Sequence, residues 1–515
     1  MHTRLLSVAL LFLSAGVFAQ ASQARFEIPL QNHQTEPYHT VSLHDEGLLL
    51  FTLVYGKERN AIELIRLDTA FKEVWKGYIP VERSIAVAAT KEFEDKIYFL
   101  LKDKFNPLSQ FLILAIGTKT GDYSSRKVQT QLPFNTAQFL VTKNAVIIGG
   151  YFNGRPLVLH YNYATDKSKI LPGFFNDVGA LDQIRTDPEG NIDIIVSGRS
   201  PSRQRSLWVR NYDRNGDLVK TVWLQPEDDK ILTFGRSVGQ PGGNQIVCGV
   251  YGRYTEYSRG IFVANIDPEG NYTIKYYNYA DLKRFFNYMK AKREARVKER
   301  IERRRIAGKK IRFSYRLMVD ELVPYGDEVV MLGEAFYPHY SYPNSYNMMG
   351  RNYSSYGYNN YLPRYGAFPS AATMRGDLIF DGYHYTHAVV IGFDKNGNLK
   401  WDNSFEINDV RTFNLEQFVK IHPDKDKISL VYLFDNVIRS KVIKDSDVIE
   451  GKAYNPLRTS TNDDIVKERD TRETKLEYWY GDVFYASGIQ NIRSRRDQGN
   501  TVARRVFFVN KIAYR

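Results

Sequence analysis

The chain has 515 residues, a formal net charge of +13, 14% aromatic residues and a single cysteine, Cys248. One cysteine excludes an internal disulfide, and past the N-terminus no apolar run approaches the roughly 20 residues that cross a bilayer as a helix. The positive charge is concentrated: residues 283–310 hold thirteen Lys and Arg against three Glu, so the remainder is close to neutral.

At the N-terminus, the positive Met1-His-Thr-Arg4, the apolar stretch Leu5 to Phe18 and the small-residue site ending at Ala19 predict a secretory signal peptide over 1–19. No cysteine follows the cut, which argues against a lipid anchor. The rest, 20–515, is expected to be one exported domain, periplasmic or peripheral at the outer membrane.

From Tyr38 onward the chain repeats a unit of short apolar strands, one of them often ending at Gly, joined by tight turns. The turns are the most legible part. Asp68-Thr-Ala-Phe71, Asp213-Arg-Asn-Gly216, Asp267-Pro-Glu-Gly270 and Asp394-Lys-Asn-Gly397 each separate two strand-like runs. Asn and Gly tolerate positive φ there, and the Asp carboxylate accepts hydrogen bonds from nearby backbone N–H groups. A hairpin repeated through a chain of this length predicts an all-β fold, a β-propeller built from four-stranded meanders. The units give eight blades, with seven as the alternative. The last unit (476–480, 482–488 and 502–514) has only three strands, and Arg25 to Leu30 is expected to add the fourth, closing the ring and removing a free sheet edge. Cys248, within Gln245-Ile-Val-Cys-Gly-Val250, reads as a buried strand residue.

Two insertions and one irregular stretch interrupt the repeat. In 280–307, Leu282, Phe285, Phe286 and Met289 fall at helical spacing, and Val297 and Ile301 continue the stripe thinly. Glu294 with Lys298 and Glu299 with Arg303 form i,i+4 pairs, and Gly308 is placed to end the helix. This predicts a basic helix about 40 Å long, its root docked and its shaft protruding. The second insertion, 337–380, is rich in Tyr, Asn, Ser and Gly and is expected to be a long loop. The polar stretch from Asn455 to Thr474 reads as a surface linker.

The insertions supply the candidate partner-binding residues. On the helix these are Lys292, Arg293, Arg296, Arg300, Arg303 and Arg304, which suit an acidic protein face or a phosphate-rich surface such as lipopolysaccharide. No aromatic platform interleaves the charges, so nucleic acid is not expected, and a solvated helix held by its own ion pairs is the plain alternative. In the loop they are Tyr340, Tyr342, Tyr346, Tyr353, Tyr356, Tyr358 and Tyr361, rigid amphipathic rings between small residues, as in a paratope. Tyr rings also stack on sugars, so a glycan site competes with protein contact.

No catalytic motif is present. Gly-x-Ser-x-Gly, His-Glu-x-x-His and phosphate-cradling Gly loops are all missing. Asp187-Pro-Glu-Gly190 and Asp267-Pro-Glu-Gly270 lack the alternating oxygens of a calcium loop. His384 and His387, with His339 as a possible neighbour, read as structural, because the strand period puts the two rings on opposite faces. No metal, cofactor or enzymatic activity is expected. An active site assembled from scattered residues in the central funnel is the remaining enzymatic reading, which a cluster of buried carboxylates there would support.

The hairpin series with its apolar strands ending at Gly resembles the blade repeats of bacterial propellers, including the quinoprotein type. The vicinal cysteine pair typical of quinoprotein dehydrogenases is missing, and in the Asp394 turn Gly397 stands one residue too late for a sialidase Asp-box. What remains similar is non-enzymatic propellers of the bacterial cell envelope, among them scaffold subunits of outer-membrane assembly and secretion machines. The resemblance implies an interaction scaffold, an accessory subunit of an envelope complex, with a glycan-binding module as the alternative.

Overall fold

Eight antiparallel sheets follow one another along the chain. The first seven are meanders spanning 39–81, 85–129, 135–170, 179–224, 231–278, 316–412 and 420–456, hereafter blades 1 to 7. The eighth combines 464–513 with the N-terminal strand Ser22–Pro29. The result is an eight-bladed β-propeller. The computed structural model describes residues 22–30, 37–104, 110–130, 132–133, 135–174, 179–199, 204–254, 257–341, 379–413, 415–461, 463–466, 474–495 and 501–513. The expected signal peptide lies outside them.

Ring closure follows the sequence expectation. Ser22–Pro29 pairs antiparallel with Thr501–Ala513, from Ser22 opposite Ala513 to Pro29 opposite Val506. Within blades, the second strands are covered by neighbouring blades on both faces, so they need apolar residues at every position. Leu48–Val54 and Ile428–Phe434 are buried over nearly their whole length, whereas the outer strand Tyr123–Gln129 is mostly exposed. Cys248 is fully buried, and burial pushes its thiol pKa up.

The Asp turns form as their chemistry requires. Asp394 Oδ1 accepts from Asn396 N at 2.9 Å and Asn398 N at 2.8 Å. Asp213 does the same with Asn215 and Asp217, and Asp68 with Ala70 and Lys72. A second device was not legible in the sequence. The outer strand of one blade donates to carbonyls in the turn between strands three and four of the next. Trp75 Nε1 reaches Thr118 O at 2.9 Å, Lys220 Nζ reaches Pro268 O at 3.0 Å, Lys275 Nζ reaches Asn396 O at 2.6 Å and Asn403 Nδ2 reaches Ser446 O at 3.1 Å. These clasps satisfy turn carbonyls that would otherwise need water, and they fix the angle between blades.

Meander topology sorts the connections onto two faces. Turns between strands one and two, and between three and four, emerge on one face. Those between two and three, and between blades, emerge on the other. On the first face no connection exceeds five residues, as in 187–191 or 213–217. The second face carries 279–315, 342–378, 407–419 and 457–474. Both insertions therefore leave the propeller on the same side, one just before blade 6 and the other between its second and third strands.

Four expectations are corrected. The helix α1 covers only Ala291–Ile306, 16 residues or about 24 Å. Its root is a 3-10 turn at Tyr279–Asp281 followed by irregular backbone, because blade 6 rather than a helical ladder satisfies the root's amides: Asp402 accepts from Lys283 N at 2.9 Å and Arg284 N at 2.6 Å. Nor does α1 protrude as a free shaft. Ile301 is buried and Val297 packs on the same core, while Lys298 Nζ reaches Asn287 Oδ1 and Arg305 reaches the Ala280 carbonyl. The loop at 337–380 is shorter than expected, since strand pairing extends through Glu328–Ser341 and resumes at Ile379–Asp394. Finally, 455–474 is not simply a linker: Asp464–Val466 forms a strand against Val483–Arg495 of the last blade. There Arg504 holds the Asp464 carboxylate with hydrogen bonds of 3.0 and 2.8 Å, which outweigh burial and lower its pKa.

Candidate functional site

The face that carries both insertions also holds the mouth of the central funnel, because inner strands begin there. His39, Arg316, Lys420 and Lys475 open the inner strands of blades 1, 6, 7 and 8. Lys420 Nζ pairs with Glu477 Oε2 at 2.9 Å, and Gln417 Nε2 donates to Glu321 Oε1 at 2.5 Å. Burial works to lower the Lys420 pKa, but Glu477, Glu321 and Glu334 hold it above its ordinary value. Burial, aided by the charge of Lys475, pushes His39 down to about 4.

Deeper in the ring stand three carboxyls that sequence reading missed. Asp182 accepts from Ser197 Oγ at 2.9 Å and from Gly235 N of the next blade at 3.2 Å, and burial raises it to about 7. Glu334 accepts from Val419 N at 2.6 Å and Phe418 N at 3.1 Å, and burial raises it to about 8. Both are tethers across a blade boundary, Asp182 on an amide of the following blade and Glu334 on the two amides that lead into the next one. Asp320 differs. Burial and the neighbouring Glu334 raise its pKa well above the carboxylate range, and its Oδ2 is buried without a hydrogen-bond partner among the described residues. The signal was available: Asp182, Asp320 and Glu334 each stand next to an apolar run (Gly-Ala-Leu-Asp, Leu-Met-Val-Asp, Val-Val-Met-Leu-Gly-Glu).

These acids give a pH prediction. Their folded pKa values lie above the unfolded ones, so the stability they contribute is complete below about pH 4 and is lost as pH rises through the folded values. For Asp182 the window runs from there to about 7. Asp182→Asn removes that titration, keeps an oxygen to accept from Gly235 N and turns an amide NH2 toward Ser197 Oγ, which can accept from it. The urea midpoint of the variant is expected to gain on the parent steadily from pH 4 to 7. A constant difference across that range would mean Asp182 does not titrate there.

Of the residues expected to bind a partner, Lys292, Arg293, Arg296, Arg300 and Arg303 are exposed on α1. Arg304 is half-buried, and its Nη1 donates to the Lys310 carbonyl at 3.1 Å just past the helix end. That end is a Schellman arrangement. Gly308 (φ 61°) donates to Arg305 O and Lys309 N to Arg304 O, as its glycine led one to expect. Tyr340 is a strand residue at the base of the loop, half-buried, its ring 5.8 Å from Phe380. Tyr342, Tyr346, Tyr353, Tyr356, Tyr358 and Tyr361 lie outside the described residues.

The histidines separate into two environments. His387 is fully buried, stacked on Tyr288 at 3.8 Å and against Phe285 at 4.8 Å, and burial lowers it to about 3. His384 stacks on Tyr337 at 5.4 Å and sits 4.8 Å from the His339 ring, beside an Asp381–Arg411 ion pair of 2.9 Å. Among the described residues no group of three or more His, Cys, Asp or Glu is arranged to hold a metal, and no helix is long and apolar enough to cross a membrane.

No protein-family model matches the sequence, and no curated protein matches it. Solved structures do. The polysaccharide lyase Uly1 is 9% identical with a TM-score of 0.40, over 93% of this chain and 100% of the lyase. A eukaryotic initiation factor is 10% identical with a TM-score of 0.37, over 93% and 90% of the two chains. The β-propeller domain of the Trilobed protease from Pyrococcus furiosus is 7% identical with a TM-score of 0.36, over 82% and 95%. At these identities and scores no site, ligand or activity carries over, and the chain stands as an eight-bladed propeller on its own strand pairing.

Proposed function

We propose that this propeller is a non-catalytic interaction scaffold, an exported accessory subunit of an envelope complex, which meets its partner through the face that carries the two insertions. The sorting of connections supports this reading most: among the described residues the opposite face joins its strands by tight turns alone, while every long connection between strands, α1 and the exposed rings of Tyr337 and Phe413 belong to this one. Loops positioned by a rigid scaffold are where binding residues concentrate.

The test is lysine crosslinking in native envelopes followed by mass spectrometry. Lys57, Lys104, Lys309 and Lys310 stand on the insertion face, and Lys119, Lys143, Lys395 and Lys425 on the other; all are exposed. At least fivefold more partner crosslinks are expected from the first set. An even split would overturn the proposal.

One observation favours a second reading, catalysis in the funnel. On the inner strand of blade 6, burial and the neighbouring Glu334 raise the pKa of Asp320, and its buried Oδ2 has no hydrogen-bond partner among the described residues, features that suit a general acid. Turnover of any member of a glycan and ester panel, abolished by Asp320→Asn with the fold intact, would move the assignment there.

A further inference from the structure

We infer that the outward face of α1 is a docking strip for an acidic polypeptide segment of the partner, an inference that rests on the interaction role just proposed. The strip follows from helix geometry. At about 100° per residue, with Lys292 at zero, Arg303 falls at about 20°, Arg296 at about 40°, Arg300 at about 80° and Arg293 at about 100°. Five cations thus share roughly a quarter of the circumference. The docked stripe lies elsewhere: Val297 is at about 140° and Ile301 at about 180°, where the body covers them.

The helix's acids do not neutralise this strip. Glu294 is turned away and pairs with Lys298 at 2.6 Å, and Glu302 pairs with Arg305 at 3.4 Å. Only Glu299 borders the strip, reaching Arg303 at 3.7 Å with both side chains largely exposed. Among the described residues, Lys292, Arg293, Arg296 and Arg300 have no carboxylate within ion-pair reach. Lys292, Arg296 and Arg300 are also successive i,i+4 neighbours, and like charges at that spacing weaken a helix. A helix needing only solubility would alternate its charges. This one carries a repulsion that a bound polyanion relieves.

The chemistry of the strip narrows the partner. Four of its five cations are Arg, whose planar forks take carboxylates bidentately. It has no aromatic ring on which a sugar or base could stack. Nor does it carry an apolar side chain for membrane immersion; the exposed Ile306 falls at about 320°, off the strip. Past the adjacent Lys292 and Arg293, its successive cations stand about 4.5 to 6 Å apart along an axis of about 16 Å. Carboxylates on one face of a partner helix repeat every 6 Å or so at i,i+4, and on one face of a strand about every 6.7 Å. Arg clusters reading acidic motifs are a recurring mode of peptide recognition.

The test uses the whole exported chain and a fluorescent ten-residue poly-glutamate peptide, read by anisotropy at low and physiological salt. Arg296→Glu/Arg300→Glu is expected to weaken binding at least tenfold and to flatten its salt dependence. Lys143→Glu/Lys425→Glu, on the opposite face, is expected to leave both unchanged. Circular dichroism and an unchanged melting temperature establish that the strip variant is folded. Equal losses in the two variants would overturn the strip, as would a polygalacturonate oligomer or phosphatidylglycerol vesicles binding tenfold tighter than the peptide. Failure of the strip is distinguishable from failure of the scaffold role. If crosslinks still concentrate on the insertion face while Arg296→Glu/Arg300→Glu changes nothing, the docking strip falls and the interaction role stands.

Discussion

Phe285→Ala is expected to lower the stability of the protein by about 3–5 kcal/mol, the range for removing a buried aromatic side chain. Phe285 is fully buried at the root of the basic insertion, its ring 4.7 Å from Tyr279, 5.0 Å from Tyr315 and 4.8 Å from His387. Edge and stacked contacts of this kind add about 0.5–1.5 kcal/mol each to simple burial. The backbone beside it is pinned independently, by Asp402 on the amides of Lys283 and Arg284 and by Ser404 Oγ on the Arg284 carbonyl at 2.9 Å. Arg296→Glu, by contrast, should shift stability by no more than about 0.5 kcal/mol, as exposed substitutions do. Urea unfolding of the two variants separates them. Equal midpoints would mean that the root is decoration, not core. Deleting 280–307 would strip Leu282, Phe285, Phe286 and Ile301 from the core together, so the loss of stability would mask any effect on binding.

Arg25→Ala is expected to cost about 3–5 kcal/mol, the penalty for breaking a buried, hydrogen-bonded ion pair, and to make the protein self-associate. Its side chain is 4% exposed and reaches Glu27 at 2.6 Å, Asn510 Oδ1 and Gln490 Oε1 at 2.9 Å each and the Arg458 carbonyl at 3.1 Å, with Phe508 beneath it. Truncation removes one donor from each of those acceptors, leaving Glu27 to Arg504 at 3.4 Å and the Arg458 carbonyl to Asn510 Nδ2, and unties the strand that closes the ring. Once Ser22–Pro29 peels away, Thr501–Ala513 presents a row of unpaired backbone groups, a template for edge-to-edge pairing. Sedimentation velocity would show the oligomers and urea unfolding the lost stability. A monomer of parental stability would show that ring closure does not depend on this cluster. Arg25→Lys should rescue little, because an ammonium cannot address several acceptors with a planar fork.

The fold was legible because its signals are local. In Asp394-Lys-Asn-Gly397 the carboxylate meets amides two and four residues on, and the glycine takes φ 70°. Those contacts lie within five residues of sequence, so the turns, the continuously apolar second strands and the count of blades could be read in order. The exposed cations of α1 were legible too, as charge at helical spacing. The length and posture of the helix were not. Periodicity in Leu282, Phe285, Phe286 and Met289 favoured one long helix, but the carboxylate of Asp402, 119 residues away from Lys283, captured the amides that such a helix would have used.

Local sequence dictates the repeat: turns set by backbone sterics and side chain to backbone bonds within five residues, and strands set by which positions must be dry. Tertiary structure alone decided the rest. It chose which turn each Lys of a neighbouring blade clasps and which buried acid tethers which amide, as Glu334 does with Val419, 85 residues on. It also brought Arg25 to Gln490 across 465 residues, and set both insertions on one face. Such contacts cost loop-closure entropy that no local signal offsets. They form only once the ring has brought distant strands together, and the face proposed to meet a partner is built from them.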